Sequence, residues 1–91
     1  MTTTAIVLMN VETQHTNRIA EEVAAIPGIS EVYSVAGNYD LVAIIRVSNN
    51  DALAELVTDK VRRITGIQRS QTLIAFRAYS RHDLDALFDM D

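Results

Sequence analysis

Hydrophobic residues fall along this chain in two kinds of block, one nearly continuous and β-branched, the other spaced by threes and fours. Thr4 to Val11 is an apolar run that predicts a first strand, and Thr13 to Ile26 places Ile19, Val23 and Ile26 at helical spacing before Pro27-Gly28 closes the helix. Ser30 to Ala36 and Asp40 to Val47 predict the second and third strands. Gly37-Asn38 between them is a two-residue hairpin signal that needs positive φ. Asn49, Asn50 and Asp51 are N-cap candidates for a second helix, whose Leu53, Leu56, Val57, Val61 and Ile64 make a core stripe before Gly66. Ile67 to Tyr79 predicts a long last strand, and Arg81 to Phe88 a short terminal helix with Leu84, Leu87 and Phe88 on one side.

The pattern nearly repeats without a gap 38 positions apart: Ala5, Ile6, Val7 and Met9 fall on Ala43, Ile44, Ile45 and Val47. Ile19, Val23, Ile26, Gly28 and Ile29 fall on Val57, Val61, Ile64, Gly66 and Ile67. Each half therefore reads as one strand, helix, strand unit. Two such units predict an α+β protein, a ferredoxin-like βαββαβ sandwich with a four-stranded antiparallel sheet and two helices on one face. Residues 1-91 read as a single domain with its core over about 5-79.

The predicted third strand is apolar on both faces, Leu41, Ala43, Ile45 and Val47 alternating with Val42 and Ile44, and the first strand is similar through Ile6, Val7, Leu8 and Met9. Two helices cover only one face of such a sheet, so the other stays wet unless a partner covers it. This predicts a homo-oligomer built sheet against sheet, or clamped by the terminal helix.

Composition narrows the function. No apolar run approaches the roughly 20 residues that span a bilayer, and Met1 to Thr4 lacks the start of a signal peptide, so no membrane partner and a cytoplasmic location are expected. With no Cys, and His15 and His82 as the only imidazoles, there is no disulfide or thiolate site, and no metal or cofactor is expected. A formal charge of -4 gives no general attraction to nucleic acid. The one tight basic cluster, Lys60, Arg62 and Arg63, suits a solvated helix C-terminus.

Chemistry concentrates at Gly37-Asn38-Tyr39-Asp40, a flexible glycine, two polar tips and a carboxylate at a hairpin end. Backbone N–H groups there can take a ligand carboxylate, and Asp40 a ligand ammonium, which together describe a free amino acid. The bland alternative is that these residues only make and cap a turn. Ser70, Gln71 and Thr72 put a polar triplet in the middle of the last strand, facing either a ligand or solvent. His15 and His82 lie in polar local sequence that fits helix ends better than general bases. Tyr33, Tyr39 and Tyr79 lack the basic and aromatic pattern of an RNA-binding sheet.

The segments Ile26-Pro27-Gly28-Ile29, Val35-Ala36-Gly37-Asn38-Tyr39-Asp40-Leu41 and Ile64-Thr65-Gly66-Ile67, with Ser70 and Thr72, resemble the effector-binding domain of Lrp/AsnC regulators, also called the RAM domain. The resemblance covers about Ala5 to Tyr79. It implies a dimeric α+β barrel formed by sheet pairing, higher assemblies such as octamers, and amino-acid effectors bound between dimers. It places Gly37, Tyr39 and Asp40 in the effector-contacting loop, beside Asn38, with Gln71 and Thr72 as further ligand-binding candidates. The family's usual N-terminal helix-turn-helix has no counterpart before Thr4, so the resemblance is to a stand-alone version, without direct DNA contact. Expected partners are an amino acid, further copies of the chain and a full-length Lrp/AsnC regulator.

The expected function is thus a non-enzymatic amino-acid-binding regulatory module. The alternatives are a small dimeric α+β barrel enzyme of isomerase or cofactor-free oxygenase type, which needs a His or carboxylate facing an enclosed apolar cavity, and a purely structural partner of a regulator. An ACT-type domain is a near neighbour in strand order and ligand class.

Overall fold

The first strand of each repeat lies at the centre of the sheet and the second strand of each at an edge. In the computed structural model, which describes residues 2–79 and 81, β1 (Thr3–Val11) pairs antiparallel with β3 (Leu41–Val47) on one side and β4 (Ile67–Ile74) on the other. β2 (Ile29–Ser34) pairs outside β3, so the strand order is β2-β3-β1-β4. Each repeat thus places its second strand against the first strand of the other repeat. The halves interlock, and the central strands are the ones apolar on both faces.

Ala5, Val7, Met9 and Val11 of β1 and Leu41, Ala43 and Ile45 of β3 are buried against the helices. Ile19 and Val23 of α1 (Thr16–Ala24) meet them over β2 and β3, while Leu53 of α2 (Asn50–Glu55) meets them over β3 and β1. Each buried Val, Leu, Ile or Met side chain contributes about 1.5–3 kcal/mol relative to exposure. The Asn49 side chain caps α2, its Oδ1 accepting from the Ala52 N–H at 2.8 Å.

Several expected boundaries move. α1 begins at Thr16 because Thr13–His15 forms a 3-10 turn, closed by the His15 N–H donating to the Glu12 carbonyl at 2.9 Å. β4 ends at Ile74 rather than Tyr79 because β1 offers it no further partner: Ala75 N donates to Thr4 O, and β1 starts at Thr3. The link between β2 and β3 is not a two-residue turn. Val35 N donates to Asp40 O at 3.0 Å around Ala36–Tyr39, and Gly37 at φ 120° is the one residue of that loop with positive φ.

The second helix departs from regular α geometry. After Glu55 it widens to a π-helical turn over Leu56–Val61, with the Arg62 N–H donating to the Val57 carbonyl at 3.2 Å. An α-helix repeats every 3.6 residues and would place Asp59 or Lys60 under Leu56; the wider turn puts Val61 there instead, and both apolar residues are buried. The expected terminal helix over 81–88 lies, apart from Arg81, outside the described residues. No helix among the described residues is long and apolar enough to cross a membrane.

Candidate functional site

The sheet face away from the helices is a ladder of cross-strand rows. Ile44, Ile6 and Leu73 form one row beside Glu31, and Val42, Leu8 and Gln71 the next beside Tyr33. One step past the Met9–Leu41 pair, the antiparallel register sets Asp40 opposite Asn10, which pairs on its other side with Arg69. The apolar middle of this face therefore ends in a polar row at the β2–β3 hairpin. At the opposite edge Arg46 Nη1 lies 3.7 Å from Glu31 Oε1, and the Tyr33 hydroxyl donates to Glu31. That hydrogen bond, ahead of desolvation, holds the Tyr33 pKa above the ordinary tyrosine range.

At the polar row β1 slips its register against β4 between Asn10 and Val11, which turns the Val11 N–H toward the hairpin. Asp40 Oδ2 accepts from it at 3.0 Å, while Asp40 N donates to Met9 O at 2.8 Å. Asn10 Nδ2 donates to the Asn38 carbonyl at 2.9 Å, and the Tyr39 hydroxyl donates to Gln71 Oε1 at 2.8 Å. The hairpin is thereby fastened to both central and edge strands. The peptide N–H groups of Gly37, Asn38 and Tyr39 make no hydrogen bond among the described residues. Nothing lies within 4 Å of the position a Gly37 side chain would take, so the backbone there is open to approach.

An open cleft of about 570 Å³ runs beside this arrangement. Asn38, Tyr39 and Asp40 form one wall, Asn10, Val11 and Thr13 the floor, and Gln68 and Arg69 the far wall. Of the candidate residues, Asn38, Tyr39 and Asp40 line this cleft, Gly37 stands at the exposed tip of the same hairpin, and Gln71 reaches it through its hydrogen bond with Tyr39. Thr72 does not join them. It pairs with Val7 and lies on the helix side of the sheet, in a separate apolar groove with Leu53, Val57 and Ile74. Asn10, Thr13, Gln68 and Arg69 were not anticipated from sequence, since only the strand register brings them to the hairpin.

The other candidates stand apart. His15 is exposed, with Nε2 3.8 Å from Glu12 Oε2, and faces no enclosed cavity. His82 lies outside the described residues. Arg62 lines a small groove with Val61 and Ile67. No cluster of metal-ligating side chains occurs among the described residues.

Comparison with known proteins places this architecture. A chain from Thermus thermophilus whose crystal structure is known is 40% identical and superposes with a TM-score of 0.81, over 87% of this chain and 99% of that one. An uncharacterized HTH-type transcriptional regulator of Pyrococcus horikoshii is 41% identical over 58 residues, 64% of this chain. The chain spans 39% of that regulator's length and 49% of a second HTH-type regulator from the same organism, so the likeness concerns a part of each. A Neisseria meningitidis transcriptional regulator solved as an L-Met complex shares the fold, with a TM-score of 0.78 at 15% identity over 87% of this chain and 53% of its own. The profile of the Lrp/AsnC ligand binding domain matches residues 4–84, and the chain belongs to that family of regulatory domains.

Proposed function

We propose that this chain is a non-enzymatic, amino-acid-binding module that assembles with copies of itself and conveys ligand occupancy to transcription control. The observation that carries this reading is the cleft at the β2–β3 hairpin. There the free N–H groups of Gly37, Asn38 and Tyr39 suit an α-carboxylate, and the second oxygen of Asp40 suits an α-ammonium. Gln71 holds Tyr39 in the wall, and Thr72 has no part in the cleft. The Neisseria regulator that shares this fold was solved as an L-Met complex, which makes an amino acid the first ligand class to try.

The uncovered sheet face supports the assembly half of the proposal. Ile6, Leu8, Val42, Ile44 and Leu73 form its apolar centre, and the sheet of a second copy would cover them as a dimeric α+β barrel, with higher oligomers such as an octamer built from such dimers. Since the cleft lies at one end of the same rows, a ligand that tightens the hairpin would favour one assembly over another by its differential affinity. A full-length Lrp/AsnC regulator is the proposed protein partner, and the cytoplasm the proposed location.

The test is to measure light-scattering mass and thermal midpoint together with each common amino acid at millimolar concentration. Binding to the folded state raises the midpoint by mass action. A selective rise for one chemical group of amino acids is expected. A well-folded oligomer that responds to none overturns the sensor half, and a monomeric mass overturns the assembly half.

A further inference from the structure

We infer that the ligand of the hairpin cleft is an acidic amino acid whose side-chain carboxylate is held by Arg69. This rests on the amino-acid reading above and goes beyond it by naming the ligand's chemistry and a residue that selects it. The argument starts from spacing. The α-ammonium and α-carboxylate sit on one carbon, so the groups that hold them must be near neighbours; Asp40 and the N–H groups of residues 37–39 are consecutive in the chain. Arg69 stands on β4, with β1 between it and the hairpin. Two strand spacings separate them, about 10 Å of sheet. Arg69 is thus anchored on the side of the cleft away from the hairpin that would hold the zwitterionic head, and lines the cleft from there.

The character of the cleft agrees. Apart from Val11 and the Tyr39 ring its walls are polar, with Asn10, Thr13 and Gln68 beside Arg69. Such a lining offers hydrogen-bonding groups along its length and little apolar surface for a branched apolar side chain to cover. Arg69, like Arg62 and Arg63, makes no ion pair among the described residues, and it is the arginine that lines this cleft. Its planar, permanently charged fork matches a carboxylate in two hydrogen bonds. An amide side chain presents the same shape without the charge, so the pair L-glutamate and L-glutamine, with L-aspartate and L-asparagine, reads out the proposed contact directly.

Isothermal titration of the full chain with these four amino acids, L-leucine and L-lysine tests the inference, on wild type and on Arg69→Gln. Wild type should prefer an acidic amino acid over its amide by about tenfold or more, the range of one charged hydrogen bond. Arg69→Gln should abolish that preference while keeping the wild-type thermal midpoint, since Arg69 is exposed. A preference for leucine or lysine, or an acid-to-amide ratio unchanged by Arg69→Gln, overturns the inference and leaves the amino-acid reading standing. Binding of none of the common amino acids by folded wild type overturns both.

Discussion

Asp40 and Val11 clasp the end of the sheet: the aspartate Oδ2 accepts from the valine amide at 3.0 Å, at the step where β1 changes register against β4. The carboxylate proposed to take a ligand ammonium therefore already has one oxygen committed to the fold, which separates its structural role from the proposed binding role.

That separation can be measured. Asp40→Ala leaves the part-buried Val11 N–H without a partner and should cost about 1–3 kcal/mol in urea denaturation. Asp40→Asn keeps an oxygen for Val11, so it should retain most of that stability while weakening amino-acid binding by about 1.5–3 kcal/mol. Equal destabilisation by both variants would show that the clasp depends on charge rather than on an acceptor.

Two glycines should differ in their tolerance of alanine. Gly37 has φ 120° in open space, so Gly37→Ala should cost about 1–2 kcal/mol from backbone strain alone. Gly66 has φ 105°, and a Cβ there would lie 2.6 Å from Cδ1 of the buried Ile19. Overpacking of that kind adds about 1–3 kcal/mol. Denaturation midpoints with Gly37→Ala below Gly66→Ala would contradict the packing described for Ile19.

The π turn makes a distinct prediction at adjacent positions. Val61→Ala removes a side chain that is 3% exposed and should cost about 1–3 kcal/mol, whereas Lys60→Ala should stay within about 0.5 kcal/mol. In a regular helix Val61 would still follow Val57 by one turn, but Lys60 would fall beneath Leu56 and its truncation would cost well over that amount. Urea titrations of both variants decide between the geometries.

Ionisation of Tyr33 should report on Glu31. The hydrogen bond to Glu31 raises the folded-state pKa of the phenol above the unfolded value. The associated stability is therefore complete below the unfolded tyrosine pKa of about 10 and is lost as pH rises through the folded value. The phenolate absorbance difference between wild type and Tyr33→Phe isolates this titration. Glu31→Gln should move it to lower pH, and an unmoved curve would assign the shift to another cause.

The uncovered face predicts how the proposed assembly comes apart. Leu8 is half-buried at the middle of that face, between Val42 and Gln71. Leu8→Lys should reduce the light-scattering mass to that of a monomer while far-ultraviolet circular dichroism is retained. A mass equal to wild type would show that copies meet elsewhere.

Much of this was legible in local sequence because its causes are local. The alternation around Leu41 to Val47, the 38-residue echo and the glycine at each helix end follow from the periods of strand and helix, and they determined the ferredoxin-like fold with its two-faced apolar central strands. The hairpin was visible as a cluster of residues with unusual backbone and side-chain chemistry. Its turn type was not, because Gly-Asn has several solutions and the Asp40 clasp to Val11 selects one.

Tertiary structure decided the rest through relationships between distant residues. Strand register placed Arg69 and Asn10 with Asp40, and the strand period of two sent Gln71 and Thr72 to opposite faces, so neighbours in sequence parted while residues 29 positions apart met. β4 stopped at Ile74 because its partner had run out, and the second helix widened because Leu56 and Val61 both had sheet to cover. Sequence by itself determined the order of the strands and helices over the described residues and the resemblance to the family; only the packing of one segment on another decided which side chains come together, because register and facing are properties of pairs of segments and not of either alone.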